Sequence, residues 1–255
     1  MTCHLKFEEG FARYAFELFK ISMEERAEVG CPLYIENGLV TIGEQYVVGD
    51  LYHIPVEDLF DIVIEENKLY KLFGYIHTHI VKDIPFPGVD DLGVGLLAGL
   101  TLGLDEFYCA TVVGKLPDKC LTLIVDCIET VKSVFPIHVE RIKSLLDSLY
   151  SAVRKDREVY GIEYSRSDFF RDLIVLGTIQ SASAEYSEYI EEYFYQLEKA
   201  LQHLVKLLES YIVEKVDRSK PWLNLRDFYK KDCILIYVNG KTVICTMKEY
   251  DLRFR

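Results

Sequence analysis

The composition of this chain shifts after about Pro136, from strands interleaved with helices to mainly helical spacing, and that shift limits the architectures open to it. Before it, short β-type runs (LYI, LVTI, QYVVGDLYHI, LFGYIHTH, EFYCATVVG and CLTLIVDCI) alternate with stretches of helical spacing. Strands interleaved with helices predict an α/β fold around a mixed sheet. A first helix is expected over about 9–28, where Phe11, Tyr14, Ala15 and Leu18 recur at three and four residues. Antiparallel strands are expected between Pro32 and Pro55, punctuated by ENG and IGEQ, and a helix over 56–66. After the two-proline loop IVKDIPFPG, the segment VDDLGVGLLAGLTLGL carries acids in its first turn and reads as a buried helix. Its glycines allow close packing, and it is too short to span a membrane.

Beyond Pro136 the spacing is helical. Ile142, Leu145, Leu149 and Val153 predict a helix over about 137–157, and a shorter one is expected within 167–179. Ile190, Leu197, Leu204 and Tyr211 lie seven apart in a long helix expected over 184–216. Phe194, Leu201 and Leu208 broaden its stripe, which favours packing among several helices over a two-stranded coiled coil. Near the end of the chain comes CILIYVNGKTVICTM, where Asn239-Gly240 between β-branched runs predicts a hairpin. Two domains are therefore expected: 1–136, and a mainly helical region at 137–255 that ends in a β-hairpin.

Charge narrows the classes of partner. Lys and Arg number 29 against 41 Asp and Glu, and the resulting net charge of −12 disfavours a nucleic-acid surface. The first residues, MTCHLKFEEG, lack the pattern of a secretory signal, so a cytoplasmic location and no membrane are expected. Seven cysteines form no Cys-x-x-Cys pair and read as buried thiols.

Six histidines occur, and two form His77-Thr78-His79 at the end of a strand run. Alternation sends both imidazoles to one face, where they can share a metal. Asp90, at the start of the glycine-containing helix, can return to the same point as a third ligand. Two imidazoles and a carboxylate suit zinc, with a fourth position left to water in a catalytic site. His4, His53, His138 and His203 read as surface or satisfied core histidines, and no zinc-deaminase, dinucleotide or phosphate-loop motif is present.

GYIHTH followed by PGVDDL resembles the motif of the JAMM (MPN+) zinc metallopeptidases: an upstream Glu, His-x-His, seven residues, Ser, two residues and Asp. The likeness covers roughly residues 5–130. It implies a cytidine-deaminase-like α/β sandwich for the first domain, with zinc on His77, His79 and Asp90. An alternative register, one residue longer in the loop, places Asp91 on the metal instead. For the general base the resemblance points to Glu36, because ENGLVTIG leads into VVGDLYHIP with Gly43 seven residues after that carboxylate. Glu28, in EVGCPL at the end of the first helix, is the second candidate. Such a Glu accepts a proton from the zinc-bound water and passes it to the leaving amine.

The departure from the pattern is Pro87 at the position of the serine, with Gly88 there in the alternative register. Neither side chain carries the hydroxyl that stabilises the oxyanion, and losing one such donor costs about 100 to 1,000-fold in rate. Two functions are therefore expected to compete. One is a zinc-dependent metallo-isopeptidase or peptidase, acting on a protein substrate such as a ubiquitin-like conjugate. The other is a catalytically impaired MPN-type scaffold. The helical region is a candidate for dimerisation, substrate recognition or docking to a complex.

Overall fold

A computed structural model describes residues 5–81, 86–114 and 120–212, and the backbone of 233–238 and 241–246. The fold is α/β, with helices and a mixed sheet. Contacts divide the chain into two units that interleave along the sequence. One comprises Met1–Gly88, Tyr108–Asp126 and Val216–Arg255; the other comprises Val89–Phe107 and Cys127–Lys215. The boundary expected near residue 136 coincides with none of these limits. The glycine-containing helix belongs with the helical residues, and the terminal hairpin belongs with the sheet.

The first unit is built on β1 (Val29–Glu36), β2 (Leu39–Ile42), β3 (Val47–Val48), β4 (Leu72–His79), β5 (Tyr108–Gly114), β6 (Cys120–Asp126), β7 (Cys233–Val238) and β8 (Lys241–Thr246). The strand order is β2-β1-β4-β5-β6-β7-β8, with β3 also paired to β1. β1 and β4 run antiparallel, β4 and β5 parallel, β5 and β6 antiparallel, and β6 and β7 parallel. β1 turns into β2 through Asn37 and Gly38 at φ 51° and 77°, the left-handed pair that a two-residue hairpin loop requires. The β7–β8 hairpin closes with Val238 opposite Lys241; the expected turn residues Asn239 and Gly240 lie outside the described residues, as do residues 82–85 of the two-proline loop.

The two faces of this sheet are covered differently. Helix α1 (Phe11–Glu25) presents Phe11, Ala12, Ala15 and Leu18 to a cluster containing Val29, Cys31, Leu33, Ile76, Ala110, Val112 and Ile124. On the opposite face lie the alternate residues of the same strands, Gly30, Tyr75, His77 and His79. Helix α2 (Val56–Glu65) buries Leu59, Phe60 and Val63 there. Phe60 meets Tyr75 edge-on with ring centroids 6.5 Å apart. A side chain at position 30 would strike Ile54 Cδ1 at 2.6 Å, so the absence of one lets the segment before α2 close onto β1.

The second unit contains α3 (Val89–Leu102), α4 (Cys127–Val134), α5 (Pro136–Val159), α6 (Arg166–Phe170) and α7 (Ala184–Tyr211). α6 continues into a π-helical turn, Arg171–Val175. α5 and α7 are antiparallel: Asp156 near the end of α5 meets the residues just before α7, while His138 near the start of α5 stacks on His203 with ring centroids 5.2 Å apart. Ile190, Leu197, Leu204 and Leu208 of the expected stripe are buried. Gly99 in α3 faces Phe107 and Ile128, so the small residues serve helix packing as expected.

Candidate metal centre

All eight residues of β4 are buried, and its alternation divides the end of the strand cleanly. His77 and His79 point to the α2 face, with 1 % and 3 % of their surface exposed, while Thr78 points back towards α1. The two Nε2 atoms are 2.9 Å apart. Two nitrogens on one tetrahedral zinc lie about 3.3 Å apart at Zn–N distances of ~2.0–2.1 Å, so a small ring rotation would admit a cation between them. Tyr75 stacks on His77 at 5.8 Å, restricting that ring.

The carboxylate that joins them is Glu28, 2 % exposed. One ligand atom from each of Glu28, His77 and His79 lies within 4.8 Å of the others. The strand register explains the meeting: β1 and β4 are antiparallel with Gly30 opposite His77 at the end of the ladder, and Glu28, two residues before Gly30, continues back along the chain to the side of the two histidines. The backbone of Glu28 is fixed on both sides, its N–H donating to Asp50 O at 2.6 Å and its carbonyl accepting from Gly49 N at 2.9 Å. Asp50 in turn accepts from the N–H groups of Tyr52 and His53, which hold its carboxyl below the usual range.

Glu36 is elsewhere. It ends β1, six residues beyond Gly30 or about 20 Å along an extended strand. There its carboxylate accepts from Lys71 Nζ at 2.9 Å, a bond that lowers its pKa. Asp90 and Asp91 lie in the first turn of α3, in the second unit; Asp90 is exposed and Asp91 half-buried. Phe86 and Pro87 are buried. Of the remaining histidines, His53 is exposed 3.6 Å from Asp50, and His138 and His203 contact each other. His4 lies outside the described residues.

One neighbour was not anticipated from the sequence: Cys109 of β5, whose Sγ is 3.8 Å from His77 Nδ1. An imidazole has two nitrogens, and a partner on Nδ1 determines whether Nε2 is free to ligate. The nearest sequence cue is Cys109 in the strand run after the motif helix, but only the parallel pairing that sets Tyr75 opposite Cys109 brings it to the histidine.

No protein-family model matches the chain, and a search of curated proteins finds no match.

The donor set itself is informative. A carboxylate excluded from water needs a cation or several donors around it, because desolvating an unpaired charge costs several kcal/mol or more. Two imidazoles directed at the same point supply either a shared proton or a metal position. The group therefore fits a divalent cation with nitrogen and oxygen preference, and the described residues include no helix long and apolar enough to cross a membrane.

Proposed function

We propose that the protein is a zinc-dependent metallo-isopeptidase or peptidase of the JAMM type, with Glu28 in place of Glu36 as its general base. The observation that carries this reading is the convergence of Glu28, His77 and His79 in one buried group, in the order the motif requires. His77 and His79 would hold the metal through Nε2. For the third ligand the resemblance offers Asp90, or Asp91 in the longer loop register.

When bound, zinc supplies Lewis-acid polarisation of a carbonyl and acidification of a water. Glu28 accepts the proton of the attacking water at its carboxylate and delivers it to the leaving amine, and its burial keeps that proton from exchanging with solvent. The substrate class is an amide joining the extended tail of a ubiquitin-like protein to a lysine. Such a tail can add a strand to a sheet edge. Pro87 contributes no hydroxyl, so turnover is expected to be slow by the factor of about 100 to 1,000 that one missing oxyanion donor costs.

The test begins with zinc uptake by the purified protein, followed by cleavage of ubiquitin-like fusions. Wild type and Glu36→Gln are expected to cleave equally, with Glu28→Gln and His77→Ala inactive. Loss of zinc affinity in one of Asp90→Asn and Asp91→Asn decides between the two registers. Failure to take up zinc rejects the reading. Zinc uptake without any cleavage, under long incubation, favours the second reading of a metal-binding MPN-type scaffold, for which the buried Pro87 at the serine position is the specific observation.

A further inference from the structure

We infer that Ser22 and Thr78 are positioning residues that hold Glu28 against the histidine pair through a buried chain of hydroxyls; the inference rests on the metal-centre reading above. The β1–β4 ladder begins at Gly30 and His77. One residue upstream, Val29 N donates to Thr78 Oγ1 at 2.9 Å, so a side-chain oxygen takes an N–H at the point where the ladder ends. Thr78 Oγ1 donates onward to Ser22 Oγ at 2.9 Å, and Ser22 Oγ donates to the carbonyl of Ala27 at 2.7 Å. The chain starts on the residue after Glu28 and ends on the residue before it. Ser22 and Thr78 are both fully buried.

Three consequences follow from this arrangement. Each hydroxyl accepts one bond and has one hydrogen to donate; that of Thr78 has Ser22 Oγ at 2.9 Å as its nearer acceptor and the Val29 carbonyl at 3.5 Å, on the residue after Glu28, as its longer one. Thr78 stands between the two ligand histidines in sequence, and its opposite-facing side chain ties their strand to α1, which carries Ser22. The turn from α1 into β1, with Arg26 at φ 56°, is thereby fixed to the strand bearing His77 and His79, while Gly49 and Asp50 hold the Glu28 peptide from its other side. Removing either hydroxyl leaves buried polar groups unpaired and frees the Glu28 peptide to shift relative to the histidines. Thr78 also lies in the strand between the two histidines, and groups that orient metal-binding side chains typically contribute about 10 to 100-fold to metal affinity.

The experiment compares Thr78→Val, which keeps the shape and loses the hydroxyl, Thr78→Ser, which keeps the hydroxyl, and Ser22→Ala, which touches neither histidine. Zinc affinity is measured by chelator competition. In the metal-free protein the side-chain carboxyl carbon of Glu28 is followed by NMR. Thr78→Val and Ser22→Ala are expected to weaken zinc binding by about tenfold or more and to move the Glu28 resonance, with Thr78→Ser within about threefold of wild type. Wild-type zinc affinity and an unmoved Glu28 resonance in both hydroxyl-deleted variants would overturn the inference, even if both variants melt at lower temperature. Absence of zinc binding by the wild type counts against the metal-centre reading instead, and the metal-free Glu28 resonance still decides whether the hydroxyl chain positions that carboxylate. Should Thr78→Val fail to fold, Ser22→Ala carries the decision.

Discussion

Glu28 and Glu36 are both glutamates bordering β1, and eight residues along the chain separate a group buried beside two histidines from one paired with a lysine at the surface. Spacing to a downstream glycine favoured Glu36; the burial and strand register that favour Glu28 have no signature in a linear count. The histidines were legible because alternation is a local property of a strand, and Cys109 was not, because it reaches His77 across a parallel pair that a linear motif does not specify. The cysteines carry a prediction of their own. Cys31, Cys109, Cys120 and Cys127 are all buried, and burial pushes the Cys31 thiol up to about 12. With so little thiolate at neutral pH, Cys31 is expected to resist iodoacetamide in the native protein and to react on unfolding. Peptide mass mapping of samples alkylated before and after denaturation checks this; rapid native labelling of Cys31 would contradict it.

At the scale of elements, periodicity located α1, α2, α3, α5 and α7, whereas α4 begins inside the run CLTLIVDCI that reads as a strand. Asp156, fully buried near the end of α5, accepts from the hydroxyls of Ser183 at 2.8 Å and Ser181 at 3.3 Å and from the N–H of Ala182. Burial alone would raise its pKa, but these bonds together outweigh it and hold the carboxyl below the ordinary range. A depressed folded-state value stabilises the fold above the unfolded pKa of about 3.9, and the gain is lost as pH falls through the folded value. Asp156→Asn is expected to cost about 1.5–3 kcal/mol at pH 7, with the gap to wild type narrowing below pH ~4. Urea midpoints at pH 7 and pH 3 measure it, and a pH-independent gap would argue against the charge. In α3, a Cβ on Gly99 would meet Phe107 Cβ at 2.6 Å and Ile128 Cδ1 at 2.7 Å. Gly99→Val is therefore expected to destabilise by about 1–3 kcal/mol in thermal or urea unfolding. Gly103, at φ 76° with open space around it, illustrates the contrast: there only the backbone conformation matters.

For the molecule as a whole, zinc is expected to stabilise the native state in proportion to its occupancy, by about 2.7 kcal/mol at a free concentration 100 times Kd. The rise should vanish in His77→Ala and shrink as pH falls and the imidazoles protonate. Thermal unfolding with and without chelator checks it, and an equal rise in wild type and His77→Ala would assign the effect to other groups. The sequence by itself determined the α/β class, the helices after Pro136, and the placing of two histidines on one strand face. Each is set by local period. Only the tertiary structure decided that α3 joins the helical unit, that the terminal hairpin extends the sheet beside β6, and that Glu28 stands at the histidines. Those outcomes depend on which surfaces bury one another across long separations, as with the small face of α3 against Phe107 and Ile128, or on the register of one strand against another, as with Gly30 opposite His77. A one-residue change in that register would send Glu28 to the other face of the sheet, and no local pattern encodes it.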